Sequence, residues 1–389
     1  MRVLSLSTLY PNASTPNFGV FVERQMQAVA ARGDVDLVMV NPLGLPPFPL
    51  SLHPRYRSLR GLDRVEQRGG VSVYRPRFVL LPGTGGRFNA RLEAAAVLPL
   101  AREMHAKQPF DLVDAQFFYP DGPAALRVAQ ALNLPCSIKA RGADVHYWGH
   151  APGTVQQVRD AAIGASGLLA VSSGLADDLV TLGADRTKIT VHRTGLDRTI
   201  FQPLDRAESR AKLGLPAGRP VLACVGALIE RKGQRFAIEA LVQVPDAILV
   251  LAGAGPDEAQ LRSLTASLGL ADRVRFLGAV PHADLPVVLG AADLFVLPSA
   301  SEGLANAWVE ALACGTPVVT TPIPGAQELL TDPVFGRMAE RDPAAFASAI
   351  NELLAAPPPR DKVLAGAAQF SWEANAAALV AHWRNLAAG

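Results

Sequence analysis

Cysteine is scarce, 3 in 389 residues: Cys136, Cys224 and Cys314 stand far apart, each in an apolar context. This excludes a disulfide scaffold and a cysteine metal cluster, and predicts small buried hydrophobes in a reducing compartment. Aromatic residues make up 6% and charged residues 19%, against 49% hydrophobic, so large buried cores are expected rather than a disordered chain. Neither sign of charge dominates. A net charge of +2 supplies no global field for nucleic acid. No apolar run reaches the roughly 18 to 20 residues that span a bilayer. The opening MRVLSLSTLYP lacks the long apolar core and cleavage site of a signal peptide, and predicts a first core strand in a cytoplasmic protein. The 7 histidines show no ligand spacing, and neither G-x-S-x-G nor a paired Cys/His context for covalent catalysis is present. Asp34-Val35-Asp36 has the letters of a metal-binding D-x-D but lacks further acids around it. No metal and no cofactor are therefore expected.

What is there is alternation. Arg2–Ser7, Asp36–Val40, Leu112–Ala115, Cys136–Lys139 and Leu168–Val171 read as strands. Helical patterns over Gly19–Ala31, Asn89–Lys107, Pro123–Leu132, Val155–Ala165 and Leu175–Leu182 separate them. After a Gly- and Pro-punctuated linker from about Gly195 to Pro220 the pattern restarts, with strands Val221–Val225, Ile248–Ala252, Val274–Leu277, Leu294–Leu297 and Val318–Thr320. Strands apolar on both faces and separated by helices imply two doubly wound parallel sheets. The expected architecture is α/β, two Rossmann-like domains with an interdomain cleft. The first spans 1–198 and is joined by a C-terminal helix, 373–389; the second spans 199–372. From His53 to Arg91 the chain carries nine arginines and few acids, with Tyr56, Leu59, Leu62, Val65 and Phe78 interleaved. This Arg-rich stretch, 53–91, fits an anionic membrane surface or a lipid-phosphate acceptor, and equally a solvated face.

The chemistry concentrates in Ser299 to Pro317, SASEGLANAWVEALACGTP. Glu302 and Glu310 stand eight residues apart across a helix start, and Gly303-Leu304-Ala305-Asn306 forms the turn from strand to helix. Free amides and the positive dipole end at such a start favour an anion. In isolation the pair also fits a capping acid and an exposed helix residue. Upstream, VGALIERKGQRFAIEAL sets Arg231 and Lys232 before another helix start, where fixed cations would stabilise a departing diphosphate. In TLYPNASTPNFGVFVERQ, Gly19 lets backbone amides approach an anion. VLAGAGPDEAQL has a G-x-G turn but Glu258 in place of a third glycine, which weakens a dinucleotide-binding reading.

These segments together resemble the family-4 retaining glycosyltransferases of GT-B fold, carried by the E-x7-E pair, the Lys232-Gly233 element, the Gly19 loop and HRTGLDRTIFQP. The YP…GVF pattern and the Arg-rich insert look most like bacterial enzymes of capsule, exopolysaccharide or teichuronic-type assembly. The resemblance implies a nucleotide-diphosphate sugar donor and a glycan or lipid-linked acceptor at the inner membrane face, with no nucleic acid partner. Glu302 would hold donor-sugar hydroxyls, with Lys232 and Arg231 stabilising the diphosphate. Gly19, Gly303, Leu304, Ala305 and Asn306 would bind sugar and phosphate, Glu310 the ribose, and backbone near Leu277 the base. Arg141 and Asp144 would serve the acceptor or sugar side. The pattern departs at Ala227, Arg141 and Arg193, where the family commonly has Arg, His and Asn. A GT-B nucleotide-sugar epimerase and a non-catalytic sugar-nucleotide binder remain open alternatives.

Overall fold

The computed structural model describes all 389 residues apart from the side chain of Arg55. The chain divides into two units: Met1–Gly195 together with Trp372–Gly389, and Leu196–Ser371.

The first unit contains β1 (Arg2–Leu6), β2 (Asp36–Val40), β3 (Leu43–Leu45), β4 (Val65–Arg68), β5 (Val71–Tyr74), β6 (Arg77–Val79), β7 (Leu112–Ala115), β8 (Cys136–Ala140), β9 (Gly167–Ala170) and β10 (Ile189–Val191). Its main sheet runs β10-β9-β8-β7-β1-β2-β5-β4, parallel except for β4, and β3 pairs separately with β6. The order reverses beside β1, so right-handed crossovers place helices on both faces. Helix Val20–Ala31 turns Val22, Met26 and Val29 inward at helical spacing. Helix Trp372–Ala388 answers with Ala376, Leu379, Val380 and Trp383 in the same core, beside Val3, Leu37 and Met39.

The second unit contains β11 (Val221–Val225), β12 (Ile248–Ala252), β13 (Val274–Gly278), β14 (Leu294–Leu297), β15 (Val318–Thr320) and β16 (Gly336–Met338). All six are parallel, in the order β13-β12-β11-β14-β15-β16. Here the order reverses between β11 and β14, and ligands of open α/β sheets bind outside the carboxyl ends at such a point.

Three features differ from the sequence expectation. The linker region carries helix Arg206–Lys212, capped by Asp205, whose carboxylate accepts from the Glu208 amide at 2.8 Å; Asp-x-x-Glu is a start signal inside a Gly/Pro-rich stretch. The Arg-rich stretch folds in part as the β4–β5 hairpin, turned at Gly69-Gly70. Arg75 and Phe78, read as surface residues, are buried. The three cysteines are free and buried, and burial pushes the Cys224 and Cys314 thiols up to about 12.

Candidate functional site

In the second unit, the loops leaving β11 and β14 meet because the strands are hydrogen-bonded neighbours. After β11 the chain makes a 3-10 turn, Glu230–Lys232, and enters helix Gln234–Ala240 through Gly233. Gly233 has φ +72, and a Cβ there would lie 2.1 Å from the Pro298 carbonyl oxygen, so glycine alone lets the turn lie against the exit of β14. The Ala300 amide donates to the Arg231 carbonyl at 2.8 Å, tying the loops together.

Lys232 Nζ therefore reaches Glu302 Oε1 at 2.6 Å, and Arg231 Nη1 lies 3.2 Å from the same oxygen. Ser299 Oγ donates to it at 2.8 Å. Arg231 Nη1 also donates to the Ser301 carbonyl at 2.5 Å. The Glu302 side chain is only 10% exposed. Burial alone would push its carboxyl up, but Lys232 and then Arg231 outweigh it and hold the group below the usual carboxylate range. At neutral pH Glu302 is an ionised acceptor. A residue absent from the sequence reading, Arg341, fixes the turn: it donates to the carbonyls of Pro298 at 2.9 Å and Glu230 at 2.6 Å, while stacking on Phe236.

Gly303, Leu304 and Ala305 follow, all buried, and helix Asn306–Ala313 starts without a side-chain cap at Ala305. Its leading amides are thus not met by a capping side chain. Glu310 is buried one turn on, and its partner is His282, whose Nε2 lies 2.9 Å from Oε1. The carboxylate only accepts, so this nitrogen carries the proton. The His282 ring stands edge-on to Phe201, 5.0 Å between centroids. Phe201 lies in the HRTGLDRTIFQP segment, whereas His282 was not singled out from sequence; the short segment P-H-A-D after β13 was the available signal. Leu277 is half-buried on β13, at the sheet edge. A cavity of about 610 Å³ in this unit is lined by Ile229, Glu230, Gln234, Asp257 and Leu261 among others, but by neither Lys232 nor Glu302.

In the first unit, Gly19 has φ +80 and begins helix Val20–Ala31; a Cβ there would lie 2.5 Å from the Leu9 carbonyl carbon. The loop preceding it is anchored by Thr8 N–H to Asp121 at 2.8 Å, and by Asn41 to the Ser7 carbonyl at 2.8 Å. Arg141 is half-buried beyond β8, where Nε donates to the Gln116 carbonyl at 2.6 Å and Nη2 to Gln116 Oε1 at 2.8 Å, with Phe21 stacked beneath. Burial pushes its guanidinium down to about 10, against the pull of Asp144 and Asp114, so it stays charged at neutral pH. Asp144 is fully buried and accepts from the amides of Phe118 at 2.8 Å, Gly142 at 2.7 Å and Arg141 at 3.0 Å. Its bonds hold the loop that carries Arg141. His146 pairs with Asp178 at 2.9 Å. Asp34 and Asp36 of the D-x-D letters are taken up by Arg32 and Arg384, and by Arg2.

Beneath Arg141 lies a buried polar chain that sequence reading missed. Lys139 Nζ meets Gln25 Oε1 at 2.9 Å and His192 Nδ1 at 2.7 Å, and His192 Nε2 meets the Asn375 carbonyl at 2.9 Å. The carbonyl must accept, so Nε2 is protonated and Nδ1 accepts from the lysine. Burial, and next Lys139, drive the His192 pKa well down. A second buried pair, Glu93 and Asp121, has no counter-charge bonded to it among the described residues. Burial pushes Asp121 up to about 7 and, with Asp121, pushes Glu93 well up. The folded unit thus retains protons that the unfolded chain releases near pH 4. Stability from this pair is complete below about pH 4; the share of Asp121 is lost as pH rises through about 7, and that of Glu93 as pH rises through its own raised value. Glu93→Gln should flatten that decline; urea titrations followed by hydrogen exchange in the first unit, repeated across this window, would show an unchanged slope if the idea is wrong.

Residues 205–369 match the family model for glycosyl transferases group 1, and residues 18–195 match the glycosyl transferase 4-like domain. TuaC of Bacillus subtilis (strain 168), a glycosyltransferase whose name places it in teichuronic acid biosynthesis, is 31% identical over 337 residues, 85% of this chain and 83% of its own. D-inositol 3-phosphate glycosyltransferase of Mycobacterium tuberculosis (strain ATCC 25177 / H37Ra) is 37% identical over 215 residues, 52% of this chain and 45% of its own length. Among solved structures, sucrose-phosphate synthase from Thermosynechococcus elongatus superposes with TM-score 0.82 at 23% identity, covering 100% of this chain and 99% of that one. HepE of Anabaena, in complex with UDP and glucose, gives TM-score 0.76 at 21% identity, covering 99% and 100%. At such identities the structures share the fold, GT-B. The chain belongs to the group 1, family-4 glycosyltransferases of GT-B fold.

Proposed function

We propose that this glycosyltransferase moves a sugar, with retention of configuration, from a nucleotide-diphosphate sugar to a glycan or lipid-linked acceptor in bacterial polysaccharide assembly. The observation that carries this reading is the Lys232–Glu302–Arg231 cluster beside an uncapped helix start. As the glycosidic bond breaks, charge grows on the leaving diphosphate, and two cations fixed by one carboxylate need no reorganisation to meet it. Glu302 holds both cations and accepts from donor hydroxyls. Its own negative charge is spent on Lys232 and Arg231, which disfavours it as a free nucleophile on the opposite face and favours transfer on one face, the leaving phosphate taking the acceptor proton. Glu310, oriented by His282, would accept from the ribose, with the base near Leu277. Gly19 would bind sugar and phosphate of the donor, and Arg141 with the loop held by Asp144 would serve the acceptor or sugar side. HepE crystallised with UDP and glucose supports a uridine-type donor, and the name of TuaC supports a glycan acceptor of teichuronic-acid type. None of the helices in the described residues is long and apolar enough to cross a membrane.

The test is a panel of UDP, GDP and ADP sugars. One base should raise the melting temperature saturably, stabilising by about 2.7 kcal/mol at a hundredfold excess over Kd. The new linkage should keep the donor's anomeric configuration, and EDTA should leave the rate unchanged, because Lys232 and Arg231 supply the charge a metal would. Three silent donors would sink the donor site; an inverted product would sink retention; activity lost to EDTA and restored by magnesium would sink metal independence. Rapid epimer formation from UDP-N-acetylglucosamine without acceptor would replace transfer by isomerisation.

A further inference from the structure

Between β3 and β4 the first unit displays three apolar side chains on its surface: Phe48 is 79% exposed, Leu50 52% and Leu52 51%. Ser51, between the two leucines, is buried instead, so the 3-10 turn Leu50–Leu52 aims both leucines outward. The chain passes directly through His53 into helix Pro54–Arg60, with the amides of Tyr56 and Arg57 donating to the His53 carbonyl at 2.9 and 3.0 Å. Arg57, Arg60 and Arg64 of this helix and the turn after it are exposed. Arg77 fastens the helix end by donating to the carbonyls of Arg60 at 2.7 Å and Leu62 at 3.0 Å. Of the remaining arginines, Arg91 is exposed on helix Asn89–Lys107, and three are engaged within the fold. Arg68 pairs with Glu23 and Glu66, Arg75 is buried on Glu66 and Asn41, and Arg87 lies over Phe88. Arg55 lies outside the described side chains. Over residues 48–64 exposed arginines follow directly on an exposed apolar tip, which lies upstream of the Arg-rich region 53–91.

We propose that residues 48–64 dock the first unit on an anionic lipid bilayer, with Phe48, Leu50 and Leu52 entering the boundary between headgroups and acyl chains and Arg57, Arg60 and Arg64 seated among anionic headgroups. The sequence of this segment holds Arg55, Arg57, Arg60 and Arg64 against Asp63, four positive charges against one negative. Apolar side chains beside one-signed basic charge are what an anionic interface selects. Two copies facing each other through this segment would bring like charges together, which disfavours a homodimer. Two of the three apolar side chains at the tip are aliphatic and cannot stack on bases, which disfavours single-stranded nucleic acid. This surface goes beyond the glycosyl-transfer reading: vesicle binding requires no donor, so either can fail alone.

The experiment is co-sedimentation of the full chain with vesicles of phosphatidylcholine, with and without phosphatidylglycerol. Binding should need the anionic lipid and should weaken strongly at about 1 M salt, where the screening length falls to about 3 Å. The triple variant Arg57→Ser/Arg60→Ser/Arg64→Ser should bind roughly 10²-fold more weakly. Phe48→Ser/Leu50→Ser/Leu52→Ser should lose binding while keeping all its arginines. All six positions are exposed, so both variants should melt like the native protein. No binding to anionic vesicles, equal binding to neutral ones, or binding unaffected by both variants would overturn the proposal. So would a concentration-dependent dimer that the serine variants abolish.

Discussion

Lys232→Met should slow turnover of the donor by about 10² to 10³-fold, the usual loss when one preorganised charge at a developing oxyanion is removed. It should also destabilise the second unit, because Glu302 stays ionised in a site where its side chain is 10% exposed. Breaking a buried pair costs about 3–5 kcal/mol, and here the loss should fall short of that, since Arg231 and Ser299 still reach Oε1. Glu302→Gln removes the carboxylate and leaves the cations unheld, so turnover falls again. The double variant separates the two effects: with both charges gone, stability should recover toward native while turnover stays at the floor. The pH dependence has a defined sign. A carboxyl held below its ordinary value contributes stability present above about pH 4.3 and lost as pH falls through the lowered native value. Glu302→Gln should remove that acid limb. A Lys232→Met protein turning over within tenfold of native would end the leaving-group assignment.

Trp383→Ala should weaken the first unit by about 5 kcal/mol, combining roughly 3–5 for the emptied core with 1–3 for a buried acceptor deprived of its donor. Trp383 is fully buried, and its indole N–H donates to Asp114 at 2.9 Å. Asp114 is itself buried, bonded by Ser5 at 2.8 Å and Gln116 at 2.7 Å, and burial pushes its carboxyl up. Such a loss is a large share of a domain's 5–15 kcal/mol. Trp383→Phe keeps most of the volume and should cost about 1–3 kcal/mol, the unpaired acceptor alone. Peptide-resolved hydrogen exchange should show lost protection in β1, β2 and helix Val20–Ala31, with β11 and β12 unchanged. The reverse pattern would refute the assignment of helix Trp372–Ala388 to the first core.

Strands such as Val221–Val225, Ile248–Ala252 and Leu294–Leu297 were legible because buried parallel strands are short, unbroken apolar runs between polar ends. The meeting of Lys232 with Glu302 was legible as two motifs following two strands; it becomes a contact because β11 and β14 are neighbours in the sheet. The β4–β5 hairpin was not legible: Glu66, Arg68, Ser72 and Tyr74 alternate half-buried, and arginine among them reads as a solvated face although Gly69-Gly70 marks the turn. Lys139, Gln25 and His192 lie on three separated elements, and no linear spacing announces that tertiary packing will bury them on one another. Arg341 and His282 were hidden for the same reason: each serves a motif far away in sequence.

Helix Trp372–Ala388 follows the whole second unit in chain order, yet it completes the core of the first. A ribosome therefore delivers β1, β2 and helix Val20–Ala31 long before their last partner, leaving Val22, Met26 and Leu37 uncovered while Leu196–Ser371 is made. The second unit, drawn from one unbroken stretch, is free to close first. The nascent first half is accordingly the species most in need of a chaperone, and a stop codon ahead of Trp372 should yield an insoluble product from a chain whose second half is intact.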